Sequence, residues 1–345
     1  MSQPETPTPP APHDEDNRAI IESFLSGQSE EALPPDHRSG FVAVIGRSNV
    51  GKSTLVNALV GRKVAITSPK PQTTRRRVLG ILTRPDAQIL FTDTPGMHQP
   101  WQALNQFMVH EAEAALADCD VILFVTDLSR MPNREDYRVA ELVQAAKQPK
   151  VLAMNKADAL KPQEAERHLE KHLALIQAAI PPLTPDAPPL GDTPPALPIS
   201  ALRGDNLEKL VALLIERLPF GPRFFPPGQH TDQSQQFLVA ELIREQALRF
   251  LRQEIPHVIA VAIEDWQVRK NGTIYIAATI YVERESQKAI LIGKEGTMLR
   301  RIGTQARREI ERELGAHVYL ELWAKVREGW RKDITLVERF LRGSM

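Results

Sequence analysis

The feature that most constrains this chain is the segment GRSNVGKST, residues 46–54, which directly follows the apolar run FVAVI. Its glycines, lysine and serine have the spacing of the phosphate loop of nucleoside triphosphatases. The glycines permit a tight turn whose N–H groups point at a phosphate, and the next helix adds its positive N-terminus. We expect nucleotide contacts from the whole segment, which comprises Gly46, Arg47, Ser48, Asn49, Val50, Gly51, Lys52, Ser53 and Thr54.

Two side chains of this loop have predicted chemical tasks. Lys52 is expected to reach the β- and γ-phosphates, where its charge assists catalysis, and Ser53 is expected to ligate Mg²⁺. Glycine-rich turns between a strand and a helix are also common elsewhere, so the surrounding pattern has to support the assignment. The loop alone does not distinguish ATP from GTP.

Apolar strand-like runs alternate with helical segments over the first two thirds of the chain. The predicted strands begin at residues 41, 78, 87, 121, 150 and 196, and helical periodicity follows most of them. Near-continuous apolar strands between helices indicate a mostly parallel sheet with helices on both faces, which binds ligands at the carboxyl ends of its strands. We therefore predict an α/β phosphate-loop domain over residues 39–218.

Changes in composition predict the remaining boundaries. Residues 1–38 are rich in proline and acidic residues and are expected to form a disordered tail, and residues 180–198 have the same character within the first domain. Four prolines interrupt the helical pattern over residues 219–235, which we predict to be a linker. Residues 236–345 are then expected to form a second, smaller domain with a C-terminal helix.

The overall composition names no partner. Lysine plus arginine and aspartate plus glutamate both number 43, so the formal charge of the 345 residues is balanced. The single cysteine, Cys119, excludes a disulfide framework and fits a reducing cytoplasm. No apolar run approaches the roughly 20 residues that span a bilayer, and the N-terminus lacks the blocks of a signal peptide. The nine histidines show no ligand pairing, so no zinc site is expected.

Three further motifs stand at predicted strand ends, in the order that a GTP-binding domain requires. Asp93 of DTPG is expected to hold Mg²⁺ through water, and Gly96 to sense the γ-phosphate. The Asp158 carboxylate of NKAD can accept two hydrogen bonds from guanine, an arrangement that adenine cannot supply. Asn155 would tether the loops, Lys156 would stack on the base, and the Ala201 N–H would face the guanine oxygen. The motifs comprise Asp93, Thr94, Pro95, Gly96, Asn155, Lys156, Asp158, Ser200, Ala201 and Leu202.

The loop TSPKPQTTRRR, residues 67–77, follows the first predicted helix of this domain. One of its threonines is expected to complete the Mg²⁺ shell when the γ-phosphate is present, which makes the loop a switch. We favour Thr74 over Thr73 as the ligand and assign it a catalytic role. Met97 stands where Ras-like proteins have the glutamine that orients water, so slow intrinsic turnover is expected. The neighbouring His98 is more simply read as a solvated side chain.

The last third of the chain has the order helix, strand, strand, helix, helix, strand, followed by a final helix from about Lys332. This is the order of a type II KH domain, and GKEG lies between its two central helices. From Lys288 onward, thirteen basic residues stand against eight acidic ones, a local excess of five positive charges. Ile290, Leu291 and Ile292 are expected to form an apolar platform for unstacked bases. The predicted RNA contacts are Ile292, Gly293, Lys294, Glu295, Gly296, Arg300 and Arg301.

From about residue 39 to 343 the chain resembles the bacterial Era family of GTPases, most densely in GRSNVGKST, ITSPKPQTTRRRVLGI, DTPG, FLVAELIREQAL and ILIGKEGTMLRRIG. The resemblance implies a cytoplasmic GTP-hydrolysing switch that binds 16S rRNA near its 3′ end and assists maturation of the 30S subunit. It also implies peripheral association with the inner face of the membrane, and we expect no stable oligomer. Related GTPases without the glutamine use an asparagine in this loop to coordinate K⁺, which gives Asn49 a catalytic role. Ser48 and Met97 depart from the usual pattern of the family.

Two alternatives remain open at this point. The second domain could bind a protein or an anionic membrane surface through its basic helix, with RNA binding incidental. The chain could instead be a GTP-assisted RNA-modifying enzyme, although no cofactor loop, reactive cysteine or metal cluster in the sequence supports this. GTP, GDP and Mg²⁺ are the cofactors expected under every reading, with K⁺ as an addition.

Overall fold

A computed structural model describes residues 33–70, 73–95, 104, 108, 111, 114–177, 194–252 and 254–342. The predictions for the N-terminal tail up to residue 32, for Gly96, Met97 and His98, and for residues 178–193 lie outside this part of the chain. None of the helices in the described part is long and apolar enough to cross a bilayer.

The first domain is built on a six-stranded sheet with the order β2-β3-β1-β4-β5-β6. Only β2 is antiparallel to its neighbour, and the other strand pairs are parallel. The predicted α/β fold with a mostly parallel sheet is therefore confirmed. The strands are β1 Arg38–Ile45, β2 Val78–Thr83, β3 Ala87–Asp93, β4 Val121–Asp127, β5 Lys150–Asn155 and β6 Ala196–Pro198.

Helices cover both faces of this sheet because the central strands are apolar on both sides. Val42 and Val44 of β1 belong to a core that includes α1 and α4, whereas Ala43 and Ile45 pack with α2 and α3 on the opposite face. An asparagine capping box at Asn133 begins α2. The helices are α1 Lys52–Val60, α2 Arg134–Ala145, α3 Ala165–Gln177 and α4 Leu207–Ile215.

The second domain contains a three-stranded sheet in which β8 (Ile274–Val282) is central, antiparallel to β7 (Ala260–Val268) and parallel to β9 (Val318–Val326), and helices pack on both of its faces. The order of elements agrees with the predicted type II KH arrangement. Its elements are α5 Gln235–Phe250, α6 Ile255–Val258, β7 Ala260–Val268, β8 Ile274–Val282, α7 Glu285–Ile292, α8 Thr297–Leu314, β9 Val318–Val326 and α9 Ile334–Arg342.

Two details of the second domain differ from the sequence prediction. The predicted order begins with one helix, but the structure has two before the first strand, because α5 ends at Phe250 and a separate short helix starts at Ile255. Pro256 lacks an N–H and is tolerated only in a first helical turn, which is where α6 places it. The final helix begins at Ile334, after a 3₁₀ turn over Trp330–Lys332.

The predicted linker 219–235 is packed against the first domain. The Ser39 N–H donates to the Pro219 carbonyl at 3.1 Å, and the Ile81 N–H donates to the His230 carbonyl at 2.8 Å. A ring nitrogen of His37 lies 2.7 Å from the Gly221 carbonyl. This segment therefore adds hydrogen bonds to the strands β1 and β2 instead of acting as a free spacer.

Candidate functional site

The segment 46–51 turns tightly between β1 and α1. Gly51 has a φ of 101°, and a Cβ at this residue would lie 2.4 Å from the Asn155 amide nitrogen. A Cβ at Gly46 would lie 2.3 Å from the Val125 carbonyl oxygen. Both positions exclude any side chain, so the loop backbone can approach its neighbours closely and present its N–H groups to a phosphate. An open cleft of about 420 Å³ lies between this loop and residues 66–68, 73 and 74.

Lys52 lies inside the loop, with a side chain that is only 6% exposed. Its ammonium group donates to the carbonyls of Gly46 at 2.9 Å and Arg47 at 3.1 Å. Burial lowers the pKa of Lys52 to about 8, although the Asp93 carboxylate opposes this shift. A buried, partly desolvated cation of this kind gains strongly from an anionic partner, which fits the predicted contact with nucleotide phosphates.

Three oxygen-bearing side chains converge beside Lys52, as expected for a Mg²⁺ site. The Ser53 hydroxyl lies 2.6 Å from Asp93 Oδ2 and 2.9 Å from the Thr74 hydroxyl, which in turn lies 3.2 Å from Asp93 Oδ2. Burial raises the pKa of Asp93, and its Oδ1 atom is buried with no hydrogen-bond partner. This all-oxygen set with an unsatisfied carboxylate oxygen fits Mg²⁺, a hard cation that prefers oxygen ligands.

The structure separates the two candidate threonines. The Thr73 hydroxyl donates to the Lys70 carbonyl at 2.7 Å within its own loop. Only Thr74 of the two faces Ser53 and Asp93. The geometry therefore agrees with the preference for Thr74, whose role as a metal ligand stays a prediction.

The strand ends at the other side of the loop bring the NKAD and SAL segments together. The Asn155 amide donates to the Val50 carbonyl at 2.8 Å and accepts from the Ala201 N–H at 2.9 Å, so it joins the phosphate loop to the SAL segment. The Ser200 hydroxyl donates to Asp158 Oδ1 at 2.6 Å. This bond orients the Asp158 carboxylate and leaves its second oxygen as a further acceptor.

One part of the expected base contact needs correction. The Ala201 N–H was expected to face the guanine oxygen, but in the structure it donates to Asn155. The Ala201 N–H can contact the guanine oxygen only if the Asn155 oxygen shares this hydrogen bond or releases it.

Val50, Thr94 and Leu202 were also predicted to contact the nucleotide, and their side chains have different surroundings. Val50 is fully buried in the core and Leu202 is 79% exposed, while the Thr94 hydroxyl donates to the Val44 carbonyl at 2.8 Å. The side chains of Val50 and Thr94 thus face the protein, and direct nucleotide contacts at these residues fall to their backbones.

Sequence reasoning missed Asp127, which lies at the end of β4. Its carboxylate accepts a hydrogen bond from Lys156 at 2.7 Å and lies 3.8 Å from Arg47. Burial raises the pKa of Asp127, but the hydrogen bonds from Lys156 and Ser129 outweigh burial, so the pKa lies below its usual value. Asp127 therefore fixes the lysine of NKAD. The available signal was the sequence VTD at the end of β4, which resembles FTD at the end of β3.

The GKEG segment forms a sharp turn between α7 and α8. Gly293 and Gly296 have φ angles of 73° and 75°, and Glu295 between them also has a positive φ of 52°. Gly293 combines its φ with a ψ of 172°, a conformation that is essentially restricted to glycine. Lys294 is exposed at the tip, and α8 begins directly after the turn at Thr297. The turn thus exposes backbone and a helix N-terminus together, which suits a phosphate backbone.

The surroundings of this turn correct the predicted apolar platform. Leu291 is fully buried in the core of the second domain, so only Ile290, which is 50% exposed, and the partly exposed Ile292 can face a ligand. Arg300 and Arg301 are both exposed on α8. The Arg301 guanidinium lies 4.2 Å from the centre of the Phe250 ring, which places it over the end of α5.

Fold and site together define the class of this protein. A phosphate-loop GTPase domain is recognised by its phosphate loop, by an oxygen cluster suited to Mg²⁺ and by a carboxylate placed to bind guanine, which here is Asp158. In this chain a KH domain follows the GTPase domain. Residues 41–156 match the family described as 50S ribosome-binding GTPase, and residues 254–331 match the KH domain family.

Comparison with known proteins then identifies the family. The chain is 43% identical to GTPase Era of Halothermothrix orenii over 306 residues, which covers 88% of this chain and 98% of that protein. It is 44% identical to GTPase Era of Carboxydothermus hydrogenoformans over 309 residues, with 88% and 97% covered. The chain belongs to the Era family of GTPases, enzymes that hydrolyse GTP.

Two solved structures resemble the whole described fold. One is Era in complex with MgGDPNP and nucleotides 1506–1542 of 16S ribosomal RNA, with a TM-score of 0.80, 39% identity, and coverage of 88% of this chain and 98% of that chain. The other is an Aquifex aeolicus Era variant bound to GDP and AlF4⁻, with a TM-score of 0.79, 39% identity and the same coverage.

Proposed function

We propose that this GTPase binds 16S rRNA near its 3′ end through the GKEG turn of its KH domain, and that it assists maturation of the 30S subunit. The observation that carries the proposal is the exposed turn at Gly293 and Gly296, which opens directly into the N-terminus of α8. The similar Era structure with nucleotides 1506–1542 of 16S ribosomal RNA supports the same ligand. Arg300 and Arg301 would contact phosphates, which strengthens binding without selecting sequence.

In the GTPase domain, the side chains around the phosphate loop would have separate tasks. Lys52 would hold the β- and γ-phosphates, and Asp158 would select guanine. Bound Mg²⁺ would neutralise phosphate charge, held by Ser53 and Thr74 directly and by Asp93 through water. None of these groups forms a covalent bond to the substrate, because phosphoryl transfer of this kind depends on positioning and electrostatics.

Replacing Gly296 by aspartate is expected to reduce the affinity for a single-stranded 16S 3′-end RNA by about 100-fold or more, because the carboxylate blocks and repels a phosphate. GTP affinity should stay native, because the nucleotide pocket lies in the other domain. Gly296 is a better test than Gly293, because its conformation is left-handed helical and no atom lies within 4 Å of a Cβ built there. The measurement is an RNA titration at several salt concentrations, with anionic vesicles as a second ligand.

Gly315 offers a matched control for this experiment. It ends the same helix with a φ of 64° and equally open space, so Gly315→Asp adds the same charge in the same backbone conformation, away from the GKEG turn. RNA affinity should stay near native in this control. Native RNA affinity in Gly296→Asp would contradict the proposed RNA site, and preferential binding to vesicles would favour the membrane alternative.

We also propose that Asn49 coordinates K⁺ during hydrolysis. Asn49 lies in the phosphate loop with a φ of 66°, and its amide nitrogen donates to the Pro69 carbonyl at 3.1 Å. The oxygen of the same amide is then the atom that would bind the cation.

Cytoplasmic location and peripheral attachment to the inner membrane stay predictions that rest on the family resemblance. The absence of a stable oligomer also stays a prediction.

K⁺ is expected to raise the hydrolysis rate about tenfold or more over Na⁺, because a cation at this place stabilises charge on the phosphates. Asn49→Gly should remove this stimulation, since glycine adopts the same positive φ without strain. The check is the hydrolysis rate of both proteins in matched KCl and NaCl buffers. Full K⁺ stimulation in Asn49→Gly would rule out this role of the amide.

A further inference from the structure

The loop that carries Thr74 lies at the boundary between the two domains. The two residues that flank Thr74 in sequence, Thr73 and Arg75, both contact the KH domain. Beyond the DTPG segment, Leu104 and Met108 also pack in a cluster with residues of the KH domain. The loop that carries Thr74 and the residues Leu104 and Met108 are therefore packed against the KH domain.

Arg75 reaches across this boundary with a side chain that is only 2% exposed. Its guanidinium donates to the carbonyls of Pro256 at 3.2 Å, His257 at 3.1 Å and Ile259, and it lies 5.8 Å from the centre of the Trp330 ring. These carbonyls belong to α6 and to the residue before β7. A buried guanidinium with three acceptors fixes the direction of the chain at Arg75, one residue from Thr74.

Arg244 of α5 makes the reciprocal contact from the KH domain. Its guanidinium donates to the Thr73 carbonyl, and Glu241 holds the same group through bonds of 2.6 and 2.7 Å. The side chain of Arg244 is only 3% exposed. The peptide bond that joins Thr73 to Thr74 is therefore held by a charged group of the other domain.

Glu245, the next residue of α5, fixes the beginning of the loop. Its fully buried carboxylate accepts from the Thr67 N–H at 3.0 Å and from Lys63 at 2.6 Å. Ile66, which precedes Thr67, is buried within the hydrophobic core of the KH domain. The loop is thus anchored to the KH domain before Thr74 as well as around it.

We propose that Arg75, Arg244 and Glu245, which we call the interdomain clamp, are positioning residues for GTP hydrolysis. They hold the loop so that the Thr74 hydroxyl faces Ser53 and Asp93, and two of the three belong to the RNA-binding domain. The proposal rests on the role of Thr74 as a Mg²⁺ ligand, which is part of the proposed function.

The physical reason is that Thr74 lies in no helix or strand. Loop residues without such hydrogen bonding open easily, whereas a metal ligand has to be held to within about 0.5 Å. Contacts from the KH domain add to those within the GTPase domain, because the groups that hold the Thr73 carbonyl, the Arg75 guanidinium and the Thr67 N–H come from α5, α6 and the residue before β7. Removing the Arg75 or Arg244 guanidinium leaves backbone carbonyls at the domain boundary without their donor, so the loop would move.

The test compares Arg75→Met and Arg244→Met with Thr74→Ala and with Arg77→Met. Methionine keeps the aliphatic stem but removes the donors. Arg77→Met is the matched control, because this arginine stands in the same loop, is 50% exposed and pairs only loosely with Asp118 at 4.0 Å. Single-turnover GTP hydrolysis is measured at saturating GTP over a range of Mg²⁺ concentrations, together with GDP affinity.

Both clamp variants are expected to hydrolyse GTP about tenfold more slowly and to need more Mg²⁺ for half-maximal rate, while GDP affinity stays native. Arg77→Met should behave as native. Arg75→Lys keeps the charge but cannot reach all three carbonyls, so an intermediate rate is expected, and this milder variant serves if Arg75→Met does not fold. A merely structural role would lower GDP affinity together with the rate.

Two results would overturn the proposal, and they are distinguishable. If Thr74→Ala hydrolyses GTP slowly but both clamp variants keep the native rate and Mg²⁺ dependence, the clamp has no positioning role. If Thr74→Ala is itself native in rate and Mg²⁺ dependence, the assigned metal ligand is wrong and the clamp proposal fails with it, whereas RNA binding by the KH domain is unaffected.

Discussion

Replacing Asp158 by asparagine is expected to lower the affinity for GTP by about 100-fold and to create affinity for xanthosine triphosphate. Two charge-assisted hydrogen bonds to guanine contribute about 1.5–3 kcal/mol each, and every 1.4 kcal/mol changes affinity tenfold. Asparagine keeps one acceptor but places an amide N–H₂ group opposite the guanine amine, so one bond is lost and two donors face each other. Xanthine has a carbonyl oxygen at that place, which accepts from the new amide.

The local structure makes this substitution a clean test. The Ser200 hydroxyl donates to Asp158 Oδ1, and the oxygen of an asparagine can accept the same bond, so the orientation of the side chain is preserved. Asp205→Asn is the control, because it makes the same charge change at an exposed residue close to the SAL segment. The measurement is a titration with GTP, ATP and xanthosine triphosphate. Native GTP affinity in Asp158→Asn, or equal affinity of the native protein for ATP and GTP, would contradict the assigned base contact.

Lys52→Ala is expected to lower GTP affinity by about 100-fold and to reduce hydrolysis below detection. The ammonium group lies buried inside the phosphate loop, where it donates to the carbonyls of Gly46 and Arg47. In a buried site the attraction between this cation and phosphate is much stronger than in water, and the alanine variant loses all of it.

The control for this substitution is Lys161→Ala, which removes the same charge from a residue of the GTPase domain whose side chain is 72% exposed. Nucleotide affinity and turnover should stay native in that protein. Thermal unfolding of both variants checks that the fold is intact. Turnover close to native in a folded Lys52→Ala protein would show that another group supplies the charge, and the assigned role of Lys52 would be wrong.

Local patterns predicted the elements of the fold well. Five of the six predicted strands, those at 78, 87, 121, 150 and 196, begin where the sequence pattern placed them, and β1 begins three residues earlier, at Arg38. Apolar runs of this kind predict strands because a sheet covered on both faces requires them. The helix break after Phe250 was missed, because the apolar periodicity continues through Leu251 and Ile255 although the chain turns between them.

Burial was harder to predict than the elements. Ile290, Leu291 and Ile292 are similar apolar residues in one short stretch, yet only Leu291 is fully buried. Which side of α7 faces the sheet depends on how α7 and α8 pack, and three adjacent apolar residues contain no such information. Asp127 was missed for a related reason, since its partner Lys156 comes from the neighbouring strand end.

The sequence alone determined the GTPase class and the order of the two domains. The nucleotide class depends on short motifs at strand ends. Parallel strands bring their carboxyl ends to one edge of the sheet, so these motifs meet there without help from contacts between distant residues. Only the tertiary structure decided that Thr74 rather than Thr73 faces Asp93, and that Arg75, Arg244 and Glu245 join this loop to the KH domain. The clamp contacts join residues more than 170 positions apart, and a pairing between two arginines and distant backbone carbonyls leaves no periodicity or spacing in the sequence.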